Sequence, residues 1–334
     1  MTQQQAIVLS GLRPTGRVHL GNYFGAIRNW VRLQDSYRCF YFVADWHALT
    51  SDYADPARVK DATYDAVADW LAAGMDPAIA TIFVQSQVPE HAELHLLLSM
   101  ITPLPWLERV PTFKEQQQQL ADRDLNTYGF LGYPLLQTAD IIVYRANFVP
   151  VGEDQVAHLE LTREVARRFN HLYGDVFPEP QPLLTETPKV PGLDGRKMSK
   201  SYGNTIGLTA SADEIRQLVS TMFTDPNRIR RKDPGNPDIC NLFQFHRLLS
   251  DPATTARVDH ECRTAQIGCV DDKRLLTEIM IEALRPIRER REKIDRDPSV
   301  VWDVLRSGNR AAKERCTETL ELVRRAMKLD YEQF

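Results

Sequence analysis

The sequence predicts an α/β domain with a doubly wound parallel sheet, followed by a helical C-terminal domain. Three short apolar runs, over residues 6–9, 39–44 and 80–84, indicate buried parallel strands. Between the last two runs, apolar residues recur at helical spacing over residues 55–73, and the Asp76-Pro77 pair is expected to end that helix. Strands that alternate with helices over short connections are typical of doubly wound domains.

The pattern changes in the second half of the chain. Residues 153–169 predict a helix, and from about Leu208 onward strand patterns nearly vanish. Residues 276–287 and 312–327 each carry a strong apolar helix face. We therefore predict an α/β domain over residues 1–207, with a helical insertion around residues 104–175 that packs with the second domain, and a helical domain over residues 208–334.

Composition excludes several classes of protein. In 334 residues, 43% are hydrophobic and no apolar run is long enough to span a bilayer, so we expect a soluble protein without membrane contact. A net charge of −4 argues against non-specific coating of nucleic acid. Five scattered cysteines argue against a disulfide framework, and no signal peptide is predicted at the N-terminus. These features together predict a cytoplasmic protein.

The first predicted strand runs into a glycine-containing turn, S-G-L-R-P-T-G-R-V-H-L-G-N, over residues 10–22. A helix that begins in such a turn favours phosphate, because its free N–H groups and its dipole face the ligand. Neither the dinucleotide fingerprint nor a P-loop is present. Instead, His19 and Asn22 lie on the first helical turn with Gly21 between them. Gly21 would let an adenine ring contact bare backbone, and His19 can donate to phosphate; a histidine here is also typical of a simple hydrogen bonder at a helix start.

A second motif, G-R-K-M-S-K-S-Y-G-N, occupies residues 195–204. Taken alone, its lysines, serines and glycines are ordinary surface-loop residues. Together with the first motif it resembles the paired signatures of the class I aminoacyl-tRNA synthetases. The second signature is complete over residues 197–201, whereas Asn22 stands where many members carry a second histidine.

Intervening segments resemble one branch of that family, the tryptophanyl-tRNA synthetases. They are Y-P-L-L-Q-T-A-D-I-I (133–142), V-P-V-G-E-D-Q (149–155), A-D-W-H-A-L-T (44–50), L-E-R-V (107–110) and T-D-P (224–226). The resemblance covers nearly the whole chain. It implies a homodimer whose subunits each have a Rossmann-type catalytic domain (1–207) and an anticodon-recognising helical domain (208–334).

The implied reaction joins L-tryptophan to ATP as tryptophanyl-adenylate, releases pyrophosphate, and then transfers tryptophan to the 3′-terminal adenosine of tRNA(Trp). Three alternatives stay open. A tyrosyl-tRNA synthetase shares the fold and both ATP motifs. A non-catalytic paralogue would bind RNA or tryptophan as a regulator, although such proteins usually lose the lysine motif. A small-metabolite adenylyltransferase would lack the helical C-terminal domain.

For tryptophan, the resemblance implies an apolar pocket in which Asp140 accepts a hydrogen bond from the indole N–H. An amino acid without that donor would leave the carboxylate unpaired, which costs more than a lost contact. Considered alone, Asp140 is more typical of an acid on a helix surface. The predicted tryptophan contacts are Leu9, Gly11, His47, Tyr133, Gln137, Asp140, Val149, Val151 and Gln155.

For ATP, the substrate carboxylate is itself the nucleophile, so the protein must supply positioning and positive charge and no base. The resemblance assigns this to Lys197, Lys200, Lys114 and His19, with Mg²⁺ held by the phosphates and no metal held by the protein. Met198 is expected to pack against the C-terminal domain as the loop closes, and the role of Arg13 stays open. The predicted ATP contacts are Arg13, Thr15, Gly21, Asn22, Gly152, Glu153, Asp154, Lys197, Met198, Ser199, Lys200 and Ser201.

Two further features admit more than one interpretation. Cys240, Cys262 and Cys269 resemble a quartet that holds a [4Fe–4S] cluster in some bacterial tryptophanyl enzymes, but the fourth position is Asp272. We interpret the three as a remnant of buried small residues, with the cluster as the alternative. Two basic stretches, residues 228–232 and 285–293, are either solvated surface or contacts to RNA.

Overall fold

The computed structural model describes residues 5–110, 125–152, 156–184 and 190–331. Its sheet has the strand order β3-β2-β1-β4-β5, and all neighbouring strands are parallel. The strands are β1 (Ile7–Leu12), β2 (Arg38–Val43), β3 (Ala80–Val84), β4 (Phe148–Val151) and β5 (Gln181–Leu184). This confirms the predicted Rossmann-type fold. The strand order reverses between β1 and β4, and in such sheets ligands bind beyond the carboxyl ends of the strands at that point.

Strands β4 and β5 were not among the predicted strands. Each has only four residues, and Pro150 and Pro182 interrupt the apolar pattern. Proline cannot donate to a ladder and is depleted in strands, so a pattern search passes over such segments. Their place in the sheet is decided by pairing with β1 and with each other.

Helices cover both faces of the sheet. The segment after β1 begins as α1 (Leu20–Asn22), passes through a π-helical turn (Tyr23–Ile27) and continues as α2 (Arg28–Leu33). The next helices are α3 (Asp45–Asp52), α4 (Val59–Ala73), α5 (Glu90–Ser99), α6 (Leu104–Glu108), α7 (Tyr128–Val143) and α8 (Val156–Tyr173). The expectation that Asp76-Pro77 ends the helix over 55–73 was wrong. Gly74, with φ of 112°, ends α4 in the left-handed conformation that glycine adopts without strain.

The C-terminal part is helical, as predicted. Its helices are α9 (Ala212–Thr221), α10 (Asn241–Leu249), α11 (Pro252–Arg263), α12 (Cys269–Arg296) and α13 (Ser299–Ala326). The expected apolar faces of α12 and α13 are buried, including Leu276, Met280 and Leu320. The boundary between residues 207 and 208 stays a prediction. Within the described ranges, no helix is long and apolar enough to span a membrane.

The two faces of the sheet carry different cores. Alternate strand residues point to opposite sides, so Val8 belongs to one cluster, with Met198 and Leu276, which we call the Val8 face. Its neighbour Leu9 belongs to the other cluster, with Ala139 and Val149, which we call the Leu9 face.

Helix α13 covers the edge strand β3. The side-chain oxygen of Asn309 accepts the Val84 N–H at 2.9 Å. Gly308 lies so close to β3 that a Cβ atom there would be 1.8 Å from the Ile82 carbonyl oxygen. An exposed edge strand is a template for aggregation, and this helix removes that template.

Candidate active site

The two signature motifs lie side by side beyond the carboxyl end of β1. Leu20 N–H donates to the Ile206 carbonyl at 2.9 Å, and Leu208 N–H donates to the Val18 carbonyl at 2.8 Å. His19 and Gly207 pair between them as an antiparallel bridge. Because residues 206–208 directly follow the lysine loop (residues 195–204), this pairing brings His19 to the lysines.

His19 caps the N-terminus of α1, and its two ring nitrogens have different tasks. Nδ1 accepts the backbone N–H of Asn22 at 3.3 Å, which leaves the ring proton on Nε2. Burial, assisted by the charge of Lys200, lowers the pKa of His19 to about 4. The ring is therefore neutral at pH 7 and keeps an Nε2–H that can donate to a phosphate oxygen. The sequence left helix capping and phosphate donation as alternatives for His19. The structure allows both, because Nδ1 caps the helix while Nε2 keeps a proton to donate.

Gly21 makes room for two of its neighbours. A Cβ atom at this position would lie 2.8 Å from Nδ1 of His19 and 3.4 Å from Cβ of Met198. The Gly21 N–H contacts the Met198 sulfur at 3.3 Å. Met198 is buried and thus joins the lysine loop to α1. Its expected packing against the C-terminal domain on closure stays a prediction.

Asn204 organises the lysine loop, a role that sequence reasoning did not assign. Its Nδ2 donates to Asp194 Oδ1 at 2.8 Å and to the Lys197 carbonyl at 3.2 Å. Its Oδ1 accepts the Ser199 N–H at 2.8 Å. A Cβ atom on Gly192 would lie 2.1 Å from Asn204 Nδ2, so this glycine serves close packing. Asn204 is the last residue of the motif over residues 195–204, and its place in the motif is the one sequence feature that could have indicated this role.

The two loop lysines differ in their surroundings. Lys200 Nζ donates to the carbonyl of Thr15, which places two predicted ATP contacts together. Partial desolvation lowers the pKa of Lys200, against the opposing effect of Asp69 and Asp65. Lys197 is exposed to solvent, as is Ser201.

The remaining predicted ATP contacts are only partly placed. Arg13 donates to Asp52 Oδ2 at 2.9 Å, at the C-terminal end of α3. Gly152 directly follows β4. Four predicted contacts lie outside the described residues: Lys114, Glu153, Asp154 and Gln155.

Asp140, on α7, is the centre of a polar cluster on the Leu9 face. It is 1% exposed, so its interpretation as an acid on a helix surface was wrong. His47 Nε2 donates to Oδ2 at 2.8 Å and His91 Nδ1 donates to Oδ1 at 2.7 Å. Gln85 Nε2 donates to the two oxygens at 2.8 and 3.0 Å. Burial would raise the pKa of Asp140, but the bonds from His47 and His91 outweigh it and hold the pKa well below its usual range.

A buried tyrosine orients one of these donors. Tyr144 Oη lies 2.9 Å from His91 Nε2, and burial raises the pKa of Tyr144 further above its ordinary value. The phenol therefore keeps its proton and donates to Nε2, which leaves the Nδ1 proton of His91 for Asp140. Sequence reasoning singled out neither residue. It also missed Gln85, although that residue follows β3 directly, at the carboxyl edge where ligand-binding side chains of such sheets occur.

Most of the other predicted tryptophan contacts within the described residues lie on α7 or in the apolar cluster of the Leu9 face. Tyr133 and Gln137 lie on α7 two turns and one turn before Asp140, and the Tyr133 ring meets the His47 ring edge-on at 6.4 Å. The apolar residues Leu9, Val149 and Val151 are buried on the same face. Gly11 has a packing role, since a Cβ there would lie 2.6 Å from the Phe42 ring.

The cysteine residues do not form a site for an iron–sulfur cluster. Arg228 Nη1 lies 3.8 Å from the sulfur of Cys262 and 3.9 Å from that of Cys269, so a cation lies beside these thiols. Asp272, at the fourth position, accepts a bond from His246 Nε2 at 3.0 Å. Across the described ranges, no group of three or more His, Cys, Asp or Glu side chains is placed to hold a metal ion. This arrangement does not fit a [4Fe–4S] cluster, which normally takes four thiolates.

Three arginines of the second basic stretch bond to other parts of the protein. Arg288 Nη1 donates to the Ala210 carbonyl at 3.3 Å, and Arg290 Nε donates to the Ala72 carbonyl. Arg291 is buried. For the buried Arg291, both the solvated-surface and the RNA-contact interpretations were wrong; Arg290 is exposed and Arg288 half-buried, and for these two the question of RNA contact stays open.

Comparisons with known proteins identify the family of this chain. The family model described as tRNA synthetases class I (W and Y) matches residues 1–285. A tryptophan–tRNA ligase of Thermotoga maritima is 54% identical, over 96% of this chain and 99% of its own. One of Ralstonia nicotianae is 46% identical, over 97% and 98% respectively.

A solved structure agrees as well. The crystal structure of tryptophanyl-tRNA synthetase from Campylobacter jejuni, complexed with ADP and tryptophan, superposes with a TM-score of 0.88 at 32% identity. That match covers 97% of this chain and 100% of the other. With both signature loops in contact and matches over nearly its full length, this chain belongs to the class I tRNA synthetases of the tryptophan and tyrosine family.

Proposed function

We propose that this chain activates L-tryptophan with ATP and transfers it to tRNA(Trp), as a tryptophan–tRNA ligase. The observation that carries the proposal is the buried, ionised Asp140 on the Leu9 face. Beyond β1, His19 pairs with the segment after the lysine loop and is close enough to Lys200 to feel its charge. An indole-binding acceptor and two phosphate-binding groups at one sheet are what adenylation of tryptophan needs. The tryptophan–tRNA ligases that match nearly the full length of the chain support the same activity.

In the first step, the tryptophan carboxylate attacks the α-phosphate of ATP and pyrophosphate leaves. The protein needs no base, because the nucleophile is already ionised. Neutral His19 donates its Nε2–H to phosphate, and the ammonium groups of Lys197 and Lys200 stabilise the negative charge on the leaving pyrophosphate. Mg²⁺ bound to the phosphates would neutralise part of the same charge.

We expect Thr15, Asn22 and Gly152 to contact the nucleotide, as Lys114, Glu153 and Asp154 would, although these last three lie outside the described residues. Gln155 and Tyr133 would hold the amino group of the substrate. Before ATP binds, Arg13 is paired with Asp52, and we assign it no role in the reaction. In the second step, a hydroxyl of the 3′-terminal adenosine of tRNA attacks the carbonyl carbon of the adenylate, so that the tryptophanyl group is transferred and AMP leaves. We propose that the reaction takes place in the cytoplasm.

Selection of tryptophan follows from the donors around Asp140. An ionised carboxylate accepts hydrogen bonds and donates none. Its three donors differ in access, because the His47 side chain is 12% exposed whereas His91 is fully buried. We propose that the indole N–H takes the place of the His47 donor at Oδ2. Phenylalanine brings no donor, so displacing His47 would remove one hydrogen bond to this buried carboxylate without replacing it, at a cost larger than one lost contact.

We further propose that two copies associate through an apolar patch made by Leu96 on α5, Met100 directly after α5, Leu104 at the start of α6 and Tyr128 at the start of α7. All four side chains are exposed. The elements that carry these residues are neighbours, since α7 packs against both α5 and α6 and the Tyr128 ring centroid lies 6.4 Å from that of His95. Clustered exposed apolar residues mark interaction surfaces. Light scattering should report a dimer, and Met100→Glu should give a monomer, whereas Ile79→Glu, at an exposed position outside the patch, should stay dimeric.

The activity is tested by ATP–pyrophosphate exchange and by charging of tRNA(Trp). We expect exchange to depend on tryptophan and not on tyrosine or phenylalanine. Exchange driven by tyrosine alone would replace the proposal with a tyrosyl enzyme. Binding of tryptophan without any exchange would favour a non-catalytic paralogue.

A further inference from the structure

One arginine of the C-terminal part is buried in the α/β part of the chain. Arg291, on α12, is 4% exposed and contacts three carboxylates. Its Nη2 donates to Asp65 Oδ1 at 2.8 Å, its Nε donates to Asp295 Oδ1 at 2.8 Å, and its Nη1 donates to Asp69 Oδ1. Burying a guanidinium is costly unless it is paired and hydrogen-bonded, and here it is both. Two of the three carboxylates lie on α4, so the cluster fastens α12 to α4.

Asp69 extends this cluster to the ATP motifs. Its side chain is fully buried. While Oδ1 accepts from Arg291, Oδ2 accepts the backbone N–H of Val18 at 2.7 Å. Thr209 Oγ1 also lies 3.4 Å from Oδ1. One carboxylate therefore contacts the C-terminal helix, the residue before His19 and the segment that follows the lysine loop.

His19 has little freedom apart from these contacts. Val18 is held by Asp69 through its N–H and by Leu208 through its carbonyl, and Leu20 is held by Ile206. Both chain neighbours of His19 are thus bonded on the Val8 face. A shift of Asp69 would move His19 and the pairing of residues 206–208 together.

We propose that Asp69 and Arg291 are positioning residues for adenylate formation, which hold His19 against the lysine loop and transmit the position of helix α12 to the ATP site. Neither residue touches a substrate; both act through Val18 and His19. The part of this inference that concerns adenylate formation rests on the proposed function. The expected effect of Asp69 and Arg291 on ATP binding does not depend on it. A purely structural pair would instead affect both substrates alike.

Two conservative variants of the full-length chain test this. Asp69→Asn keeps an oxygen that can accept the Val18 N–H but removes the charge that holds Arg291. Arg291→Lys keeps a positive charge but loses the planar fork that binds several carboxylates at once. In exchange assays, we expect each to reduce kcat/KM for ATP by on the order of 10- to 100-fold, as small misplacements of catalytic groups do. The Kd for tryptophan should not change, because that pocket lies on the Leu9 face.

A second ion pair offers a matched control. Arg324 on α13 donates to both oxygens of Glu93 on α5, at 2.7 and 2.6 Å, and so joins the same two parts of the chain without contacting either loop. Arg324→Lys should leave kcat/KM for ATP unchanged. Circular dichroism and thermal unfolding establish that each variant is folded. In a double-mutant cycle, Asp69→Asn combined with Arg291→Lys should lose less than the sum of the two single losses.

The proposal is overturned if the folded variants keep the wild-type dependence on ATP, or if the KM values for ATP and tryptophan rise by the same factor. Absence of tryptophan-dependent exchange in the wild type would refute the proposed function instead. In that case, calorimetric titration with ATP still tests the pair. Weaker ATP binding in Asp69→Asn but not in Arg324→Lys would support it, and equal binding in all three proteins would refute it.

Discussion

Asp69 and Asp140 are both buried carboxylates beside the same sheet, but their partners differ. Asp69, on the Val8 face, is held by a guanidinium and a backbone N–H, and neither can leave without a local rearrangement. Asp140, on the Leu9 face, is held by imidazole and amide donors, and one of them, His47, is partly exposed. Burial raises the pKa of Asp69 although Arg291 opposes it, whereas the donors around Asp140 hold its pKa low. A carboxylate with permanent partners joins parts of a protein, and one with an exchangeable donor can bind a ligand.

Removal of the ligand-binding carboxylate should have the largest effect. Asp140→Ala removes the acceptor for the indole N–H and leaves the donors of His91 and Gln85 unpaired. We expect kcat/KM for tryptophan to fall by on the order of 10²–10³-fold, since unpaired buried polar groups are costly. The KM for ATP should change far less. Steady-state exchange with each substrate varied in turn makes the measurement, and equal losses for both would contradict the assignment of Asp140.

A smaller effect should follow from loosening the same carboxylate. His91→Phe removes one of its three donors, so we expect tryptophan binding to weaken about tenfold, the effect of one charge-assisted hydrogen bond. Tyr144→Phe keeps His91 and removes only the bond that orients it, and should weaken binding less. Calorimetric titration with tryptophan would compare the two. A larger loss from Tyr144→Phe than from His91→Phe would argue against the relay.

The smallest effect concerns the ionisation of His19 on the opposite face. The pKa of about 4 lies below the unfolded value, so the folded state binds fewer protons than the unfolded state between pH 6.5 and 4. The stability contribution of neutral His19 is therefore full above pH 6.5 and is lost as pH falls through 4. The proton NMR titration of His19 should give a midpoint near 4. Lys200→Met should raise it only slightly, because burial is the larger cause; a midpoint near 6.5 in the wild type would show that the ring is not desolvated.

Much of the architecture could be predicted from short patterns. Strands β1 to β3 and the apolar faces of α12 and α13 are local signals, since their periodicity is set by burial on one side. Strands β4 and β5 escaped because proline weakens the local pattern while pairing with neighbours decides the structure. The interpretation of Arg291 as part of a solvated or RNA-binding stretch failed for a similar reason. A charge run has no local mark that distinguishes a solvated surface from a buried ion pair.

By itself, the sequence determined the family, the two signature loops and the candidate carboxylate at Asp140, because these depend on residue types at short spacing. Only the tertiary structure decided which donors surround Asp140, that His19 is neutral, and that Arg291 joins α12 to the loop that carries His19. Those properties arise from groups far apart in the chain, such as Asp69 and Arg291. Whether such groups are buried and paired depends on which segments pack together in the folded chain, and a local sequence pattern does not determine that packing.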